Sequence, residues 1–125
     1  MIKTFFNQQT QILETTYSGK VSLNEIVEYI NQTKCNPNYP RALKILTSCI
    51  DSEMTFGPND ILKIVEANNQ SLEKYDSITD ALVVNNPNET ALIIFFQMLS
   101  ENKKYKVDAF STEEAALNWL QNINS

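Results

Sequence analysis

Few residues in this chain could carry out chemistry. There is no histidine among its 125 residues, which removes the commonest general base and a common metal ligand. The two cysteines, Cys35 and Cys49, are too few for a four-ligand zinc site. The two glycines, Gly19 and Gly57, stand alone and form no phosphate-binding loop. We therefore expect a protein that is not an enzyme, with no catalytic residue, no metal and no cofactor.

Two features near position 50 have competing interpretations. Asp51, Glu53 and Asp60 could hold a divalent cation, but acids near a helix start are ordinary partners of the positive helix end. Cys49 precedes a predicted helix, whose amino end can lower the pKa of a thiol. A small buried hydrophobic residue fits Cys49 as well, and we favour that interpretation.

Length and charge limit the class of protein. A chain of 125 residues fits one domain, which we place at 1–125. The net charge of −5 comes without a basic patch, which argues against nucleic acid and against anionic membrane surfaces. The amino terminus lacks the apolar run of a signal peptide, and an isolated pair of cysteines suits a reducing compartment. These features predict a cytoplasmic protein.

The rest of the chain is organised around residues 42–75. This stretch predicts a strand at 42–48, a polar loop at 49–60 and an amphipathic helix that runs to Tyr75. Further strands are expected at 2–6, 11–18, 78–85 and 105–110. The remaining helices are expected at 22–34, 86–99 and 111–121, and Ser22 with Glu25 forms a capping box at the first of them.

This order predicts an α/β domain with two layers. Strands that alternate with helices form βαβ units, so we expect a mostly parallel sheet of about five strands. The short polar link after residue 6 predicts that the N-terminal strand pairs antiparallel, as a hairpin. Several strands alternate between polar and apolar residues. We therefore expect the four helices mainly on one face and a partly wet opposite face.

Two surfaces are candidates for binding. Loops held by rigid elements often carry function, so we expect Asp51, Ser52, Glu53, Thr55 and Phe56 to meet a protein partner. Phe56 could instead pack onto the start of the following helix as a hydrophobic staple. The helix at 91–99 is apolar almost all round, which predicts either a homodimer interface that includes the two residues Ile93 and Phe96 or deep burial between neighbouring helices.

Three segments resemble STAS-like domains, the group that includes bacterial anti-sigma-factor antagonists. They are YSGKVSLNE at 17–25, FGPNDI at 56–61 and STEEAALNWL at 111–120. The resemblance covers nearly the whole chain through the order of its elements. It implies a small regulatory domain that binds an unidentified protein. A binder of a small apolar or anionic ligand at the carboxyl edge of the sheet is the alternative.

The resemblance also implies a phosphorylation switch at the start of the second helix. The matching position holds Gly57, which has no hydroxyl group. The nearest hydroxyl groups belong to Ser52 and Thr55, which are therefore the candidates for phosphorylation, although neither matches the family position.

Overall fold

A computed structural model describes residues 1–123, which form one five-stranded sheet. Its strands, in spatial as well as chain order, are β1 (Ile2–Asn7), β2 (Ile12–Val21), β3 (Ala42–Met54), β4 (Ser77–Val83) and β5 (Tyr105–Phe110). Strand β1 is antiparallel to β2, and all other pairs are parallel. The predicted mixed sheet with an antiparallel N-terminal hairpin strand is confirmed.

Four helices cover this sheet. They are α1 (Leu23–Cys35), α2 (Ile61–Ser71), α3 (Pro87–Ser100) and α4 (Glu113–Asn122), and a short 3-10 turn, Pro58–Asp60, precedes α2. Helices α1, α2 and α3 connect successive parallel strands and pack side by side on one face. Helix α4 follows the last strand and packs on the opposite face, against β3 and β4.

The first helix begins where the sequence predicts. The Glu25 backbone N–H donates to Ser22 Oγ at 3.2 Å, and the Ser22 backbone N–H donates to Glu25 Oε2 at 2.8 Å. These reciprocal bonds satisfy two of the amide groups that a helix start leaves unpaired. They fix the point at which the chain leaves β2 and crosses the sheet.

The sheet has a separate core on each face. The larger core lies under α1, α2 and α3, and the smaller one joins Ile12, Leu46 and Val83 to Ala116 and Leu120 of α4. On the opposite face, α4 therefore shields β3 and β4 from solvent more than the sequence predicts. Over β2 the prediction holds, because Thr16 is exposed there.

Strand β3 is longer than the sequence predicts. It continues past residue 48 to Met54, because β2 shifts register between Thr16 and Ser18 and then runs on to Val21 as a pairing partner. Gly19 lies in the part of β2 that follows the register shift, and its φ of +65° is a conformation that favours glycine. The predicted loop at 49–60 is thus wrong in extent, and only residues 55–57 separate β3 from the turn before α2.

Candidate functional site

The structure divides the predicted partner-binding residues between two sides of the chain. Asp51, Glu53 and Thr55 are exposed, whereas Ser52 and Phe56 are half-buried. The division follows from the extended backbone, in which successive side chains point to opposite sides. The exposed three remain available to a partner, but the five residues do not form one continuous surface.

The two candidate phosphorylation sites differ in their surroundings. Ser52 Oγ donates to the Cys49 carbonyl oxygen at 2.9 Å. Thr55 Oγ1 donates to the Val21 carbonyl oxygen at 3.3 Å, while its side chain stays exposed. Thr55 is the more accessible of the two hydroxyl groups, and modification at either position stays a prediction.

Phe56 packs against the larger core, as expected for a hydrophobic staple. We expect Phe56→Ala to lower the free energy of unfolding by about 2 kcal/mol, less than for a fully buried phenylalanine. The control Asp51→Ala, on the exposed side, should stay within about 0.5 kcal/mol of wild type. Urea unfolding measures both, and an unchanged stability for Phe56→Ala would show that its ring contributes nothing to packing.

Helix α3 turns a different face to the core than the sequence suggests. Ile93 is only 4% exposed, and the Phe96 ring packs edge-on against Tyr105 with centroids 5.9 Å apart. Ile93 packs into the core and Phe96 is half-buried against it, which fits the alternative of deep burial, while a dimer interface on this helix stays a prediction. The apolar side chains that α3 presents to solvent are Ile94, Phe95, Met98 and Leu99.

Both cysteines are free thiols, and they differ in exposure: Cys35 is exposed and Cys49 is buried. Cys49 is 1% exposed, and burial, together with the charges of Asp80 and Glu89, raises the pKa of its thiol far above the usual value. A nearby helix end does not lower it. Cys49 behaves as a small buried hydrophobic residue, which is the interpretation favoured from the sequence.

A cavity of about 80 Å³ lies between the sheet and helices α1, α2 and α3. If one water needs about 10–15 Å³ of such space, the cavity has room for roughly five to eight water-sized groups. Most of its wall is apolar, and its polar side chains come from strands β2, β4 and β5 and from helices α1 and α2. These polar residues are Tyr17, Tyr29, Thr33, Asn68, Ser71, Asp80 and Tyr105.

Among residues 1–123, Asp80 is the one acid in the wall of this cavity, and its side chain is half-buried. Thr47 Oγ1 donates to its Oδ1 at 2.9 Å across the strand pair. The wall, which lies wholly within residues 1–123, contains no lysine or arginine. Burial without a cation raises the pKa of Asp80 to about 7, and the Thr47 bond opposes this rise only in part.

Three tyrosines surround the acid. Tyr17, Tyr29 and Tyr105 all line the cavity, and the Tyr29 hydroxyl shares a hydrogen bond of 2.9 Å with Thr15 Oγ1. Burial raises the pKa of all three phenols, and the charge of Asp80 raises it further. The phenols therefore stay protonated, and any charge in the cavity wall belongs to Asp80.

Asn68 lies on α2, is 7% exposed, and has a side-chain nitrogen without a hydrogen-bond partner. We expect Asn68→Leu to raise the free energy of unfolding by about 1–3 kcal/mol, because leucine has a similar shape and needs no partner. The control Asn69→Leu changes an exposed residue of the same helix and should show no such gain. A loss of stability in Asn68→Leu would show that the amide has a partner after all.

The sequence analysis missed Asp80, although a signal was present. Asp80 falls inside the predicted strand at 78–85, on the same face as the apolar residues Ile78 and Leu82, and a charged residue on a buried strand face is rare. Asn68 likewise falls at helical spacing from the apolar residues Ile64 and Leu72, on the face of the predicted helix that would be buried. Polar residues at core positions were therefore the available clue to the cavity.

Two other kinds of site are missing from the part of the chain that the structure describes. Within residues 1–123 no three acidic or cysteine side chains lie close enough together to hold a metal ion. No helix in that part is both long and apolar enough to cross a membrane.

The geometry defines this chain as an α/β domain with a SpoIIAA-like, STAS-like fold. It is similar to the crystal structure of an uncharacterised protein from Shewanella loihica PV-4, of the DUF3478 family, which has a SpoIIAA-like fold. The two share 10% sequence identity with a TM-score of 0.62, over 96% of this chain and 92% of the other. No family model and no curated protein matches the sequence.

Proposed function

We propose that this chain is a non-enzymatic, cytoplasmic binding domain that takes a small molecule into the cavity between its sheet and α1 to α3. The observation that carries this proposal is the cavity itself, with an acid and an unpaired amide in a mostly apolar wall. Binding sites commonly combine apolar walls with a few converging polar groups.

The proposal differs from the ligand site expected from the sequence. That alternative placed a small apolar or anionic ligand at the carboxyl edge of the sheet. The cavity reaches from that edge, where Met54 and Phe56 line it, deeper into the domain, to Ile78 and Tyr105 near the starts of β4 and β5. Asp80 would repel an anion, so we retain an apolar ligand and discard an anionic one.

A titration followed by amide NMR tests the proposal, with 1-butanol as the probe. We expect chemical shifts to change at residues that line the cavity. Ser71→Leu, which adds bulk to the wall, should abolish the changes. Gln70→Leu, which adds the same side chain on the exposed side of α2, should leave them intact. Shifts that persist in Ser71→Leu would contradict binding in the cavity.

Regulation through a protein partner is the second candidate function. It is supported by the exposed apolar side chains of α3 and by the character of STAS-like domains. The partner we propose is a second copy of this chain, with Met98, 78% exposed, near the centre of the interface. Light scattering should then give about twice the chain mass of 14.3 kDa, and Met98→Glu should return the protein to a monomer. A monomeric wild-type chain at all concentrations would contradict the dimer.

A further inference from the structure

Resting on that proposed function, we propose that the ligand is a compact molecule with an apolar body and one protonated amine, which pairs with the Asp80 carboxylate. The inference concerns the chemical class of the ligand, and four features of the cavity lead to it: an acid without a counter-ion, unused acceptor positions, apolar walls and limited volume.

Among the residues that the structure describes, none that lines the cavity is a counter-ion for the acid. No lysine or arginine lines the cavity within residues 1–123, and the one hydrogen bond recorded to the carboxyl group comes from Thr47. A carboxylate offers about four acceptor positions, so most of them remain free on a group that lines the cavity. A buried charge is costly unless it is paired, and an ammonium group supplies both the charge and the donors.

The remaining wall fits an apolar body. Ile45, Ile78 and Leu82 flank Asp80 on the sheet, while Ile64 and Phe96 face them from the helices. The volume limits the ligand to roughly five to eight non-hydrogen atoms if each takes the space of one water. A short alkyl chain with a terminal amine meets both conditions.

Charge separates an amine from its closest competitors. A carboxylate ligand would place a second negative charge beside Asp80, which is unfavourable. An alcohol of the same length would fit the walls and donate one hydrogen bond to the carboxylate, but it brings no positive charge to compensate the negative one and has one donor where an ammonium group has three. The amine is therefore the tightest of three ligands of similar size.

The same geometry gives binding a pH dependence. The groups that face Asp80 from the neighbouring elements are Tyr17, Tyr29, Tyr105 and Cys49, and all stay uncharged because their pKa values are raised. An alkylamine keeps its proton to about pH 10, like a lysine side chain. Because Asp80 loses its proton near pH 7, affinity for the amine should rise between pH 5 and pH 8.

The test compares n-butylamine, 1-butanol and butyrate by NMR titration at pH 8. We expect the amine to bind about tenfold more tightly than the alcohol, and butyrate not to bind. Asp80→Asn should remove the preference for the amine without removing the binding of 1-butanol. Asp51→Asn, at an exposed acid, is the matched control and should keep the preference.

The outcomes separate this inference from the function on which it rests. If neither 1-butanol nor n-butylamine binds, both the cavity function and the amine inference are overturned. If 1-butanol binds as tightly as the amine, or if Asp80→Asn keeps the preference, only the amine inference is overturned. The three-ligand comparison on the wild-type chain decides the matter without any variant.

Discussion

Asp80→Asn is expected to be more stable than the wild-type chain above pH 7, while the difference shrinks towards pH 4. The pKa of Asp80 rises from 3.8 to about 7 on folding, so the folded state binds its proton more tightly than the unfolded state does. Stability from this group is therefore fully present below about pH 4 and is lost as pH rises through 7. Asparagine has no proton to lose.

The size of this effect follows from the shift. A change from 3.8 to about 7 is about 3 pH units, and at 1.36 kcal/mol per unit it amounts to roughly 4 kcal/mol at most. Water that enters the cavity would reduce it. Urea unfolding at pH 4, 6 and 8 measures the difference, with Asp51→Asn as control. Parallel stability curves for wild type and Asp80→Asn would contradict the burial of an uncompensated acid.

Leu120→Ala is expected to lower the free energy of unfolding by about 2–5 kcal/mol, the range found when a buried leucine is truncated. Leu120 is fully buried and joins α4 to Ile12, Leu46 and Ala81 on the second face of the sheet. The truncation leaves a void between one helix and three strands.

The control for this variant is Gln121→Ala, which truncates the exposed next residue of the same helix and should stay within about 0.5 kcal/mol. Thermal or urea unfolding distinguishes the two variants. If Leu120→Ala lowered the free energy of unfolding no more than Gln121→Ala does, the packing of α4 on the sheet would not stabilise the fold.

The order of elements and the sheet topology could be predicted because they depend on local patterns. Period-two strands, the capping box at Ser22 and the short hairpin link each act within a few residues. The extension of β3 could not be predicted, because Asp51 and Glu53 read as loop residues until a partner strand is known. That partner exists because β2 shifts register after Thr16.

The inward face of α3 and the cavity depend on packing, which a single sequence does not show. When a helix is apolar almost all round, its sequence does not show which face packs on the core. Ile93 was therefore assigned to the surface, although Ile94 is the exposed residue. The cavity arises from how three helices meet one sheet. Asp80 and Asn68 could have been recognised as polar residues at core positions, but nothing in the sequence places them around a common space.

The most direct test of the central claim is to locate a bound probe by intermolecular nuclear Overhauser effects. With 1-butanol in excess, the cavity site predicts contacts from the alkyl protons of the probe to Ile78, Leu82 and Tyr105, all within its wall. Contacts only to Met98 and its exposed neighbours on α3, or no contacts at all, would contradict a small-molecule site in the core.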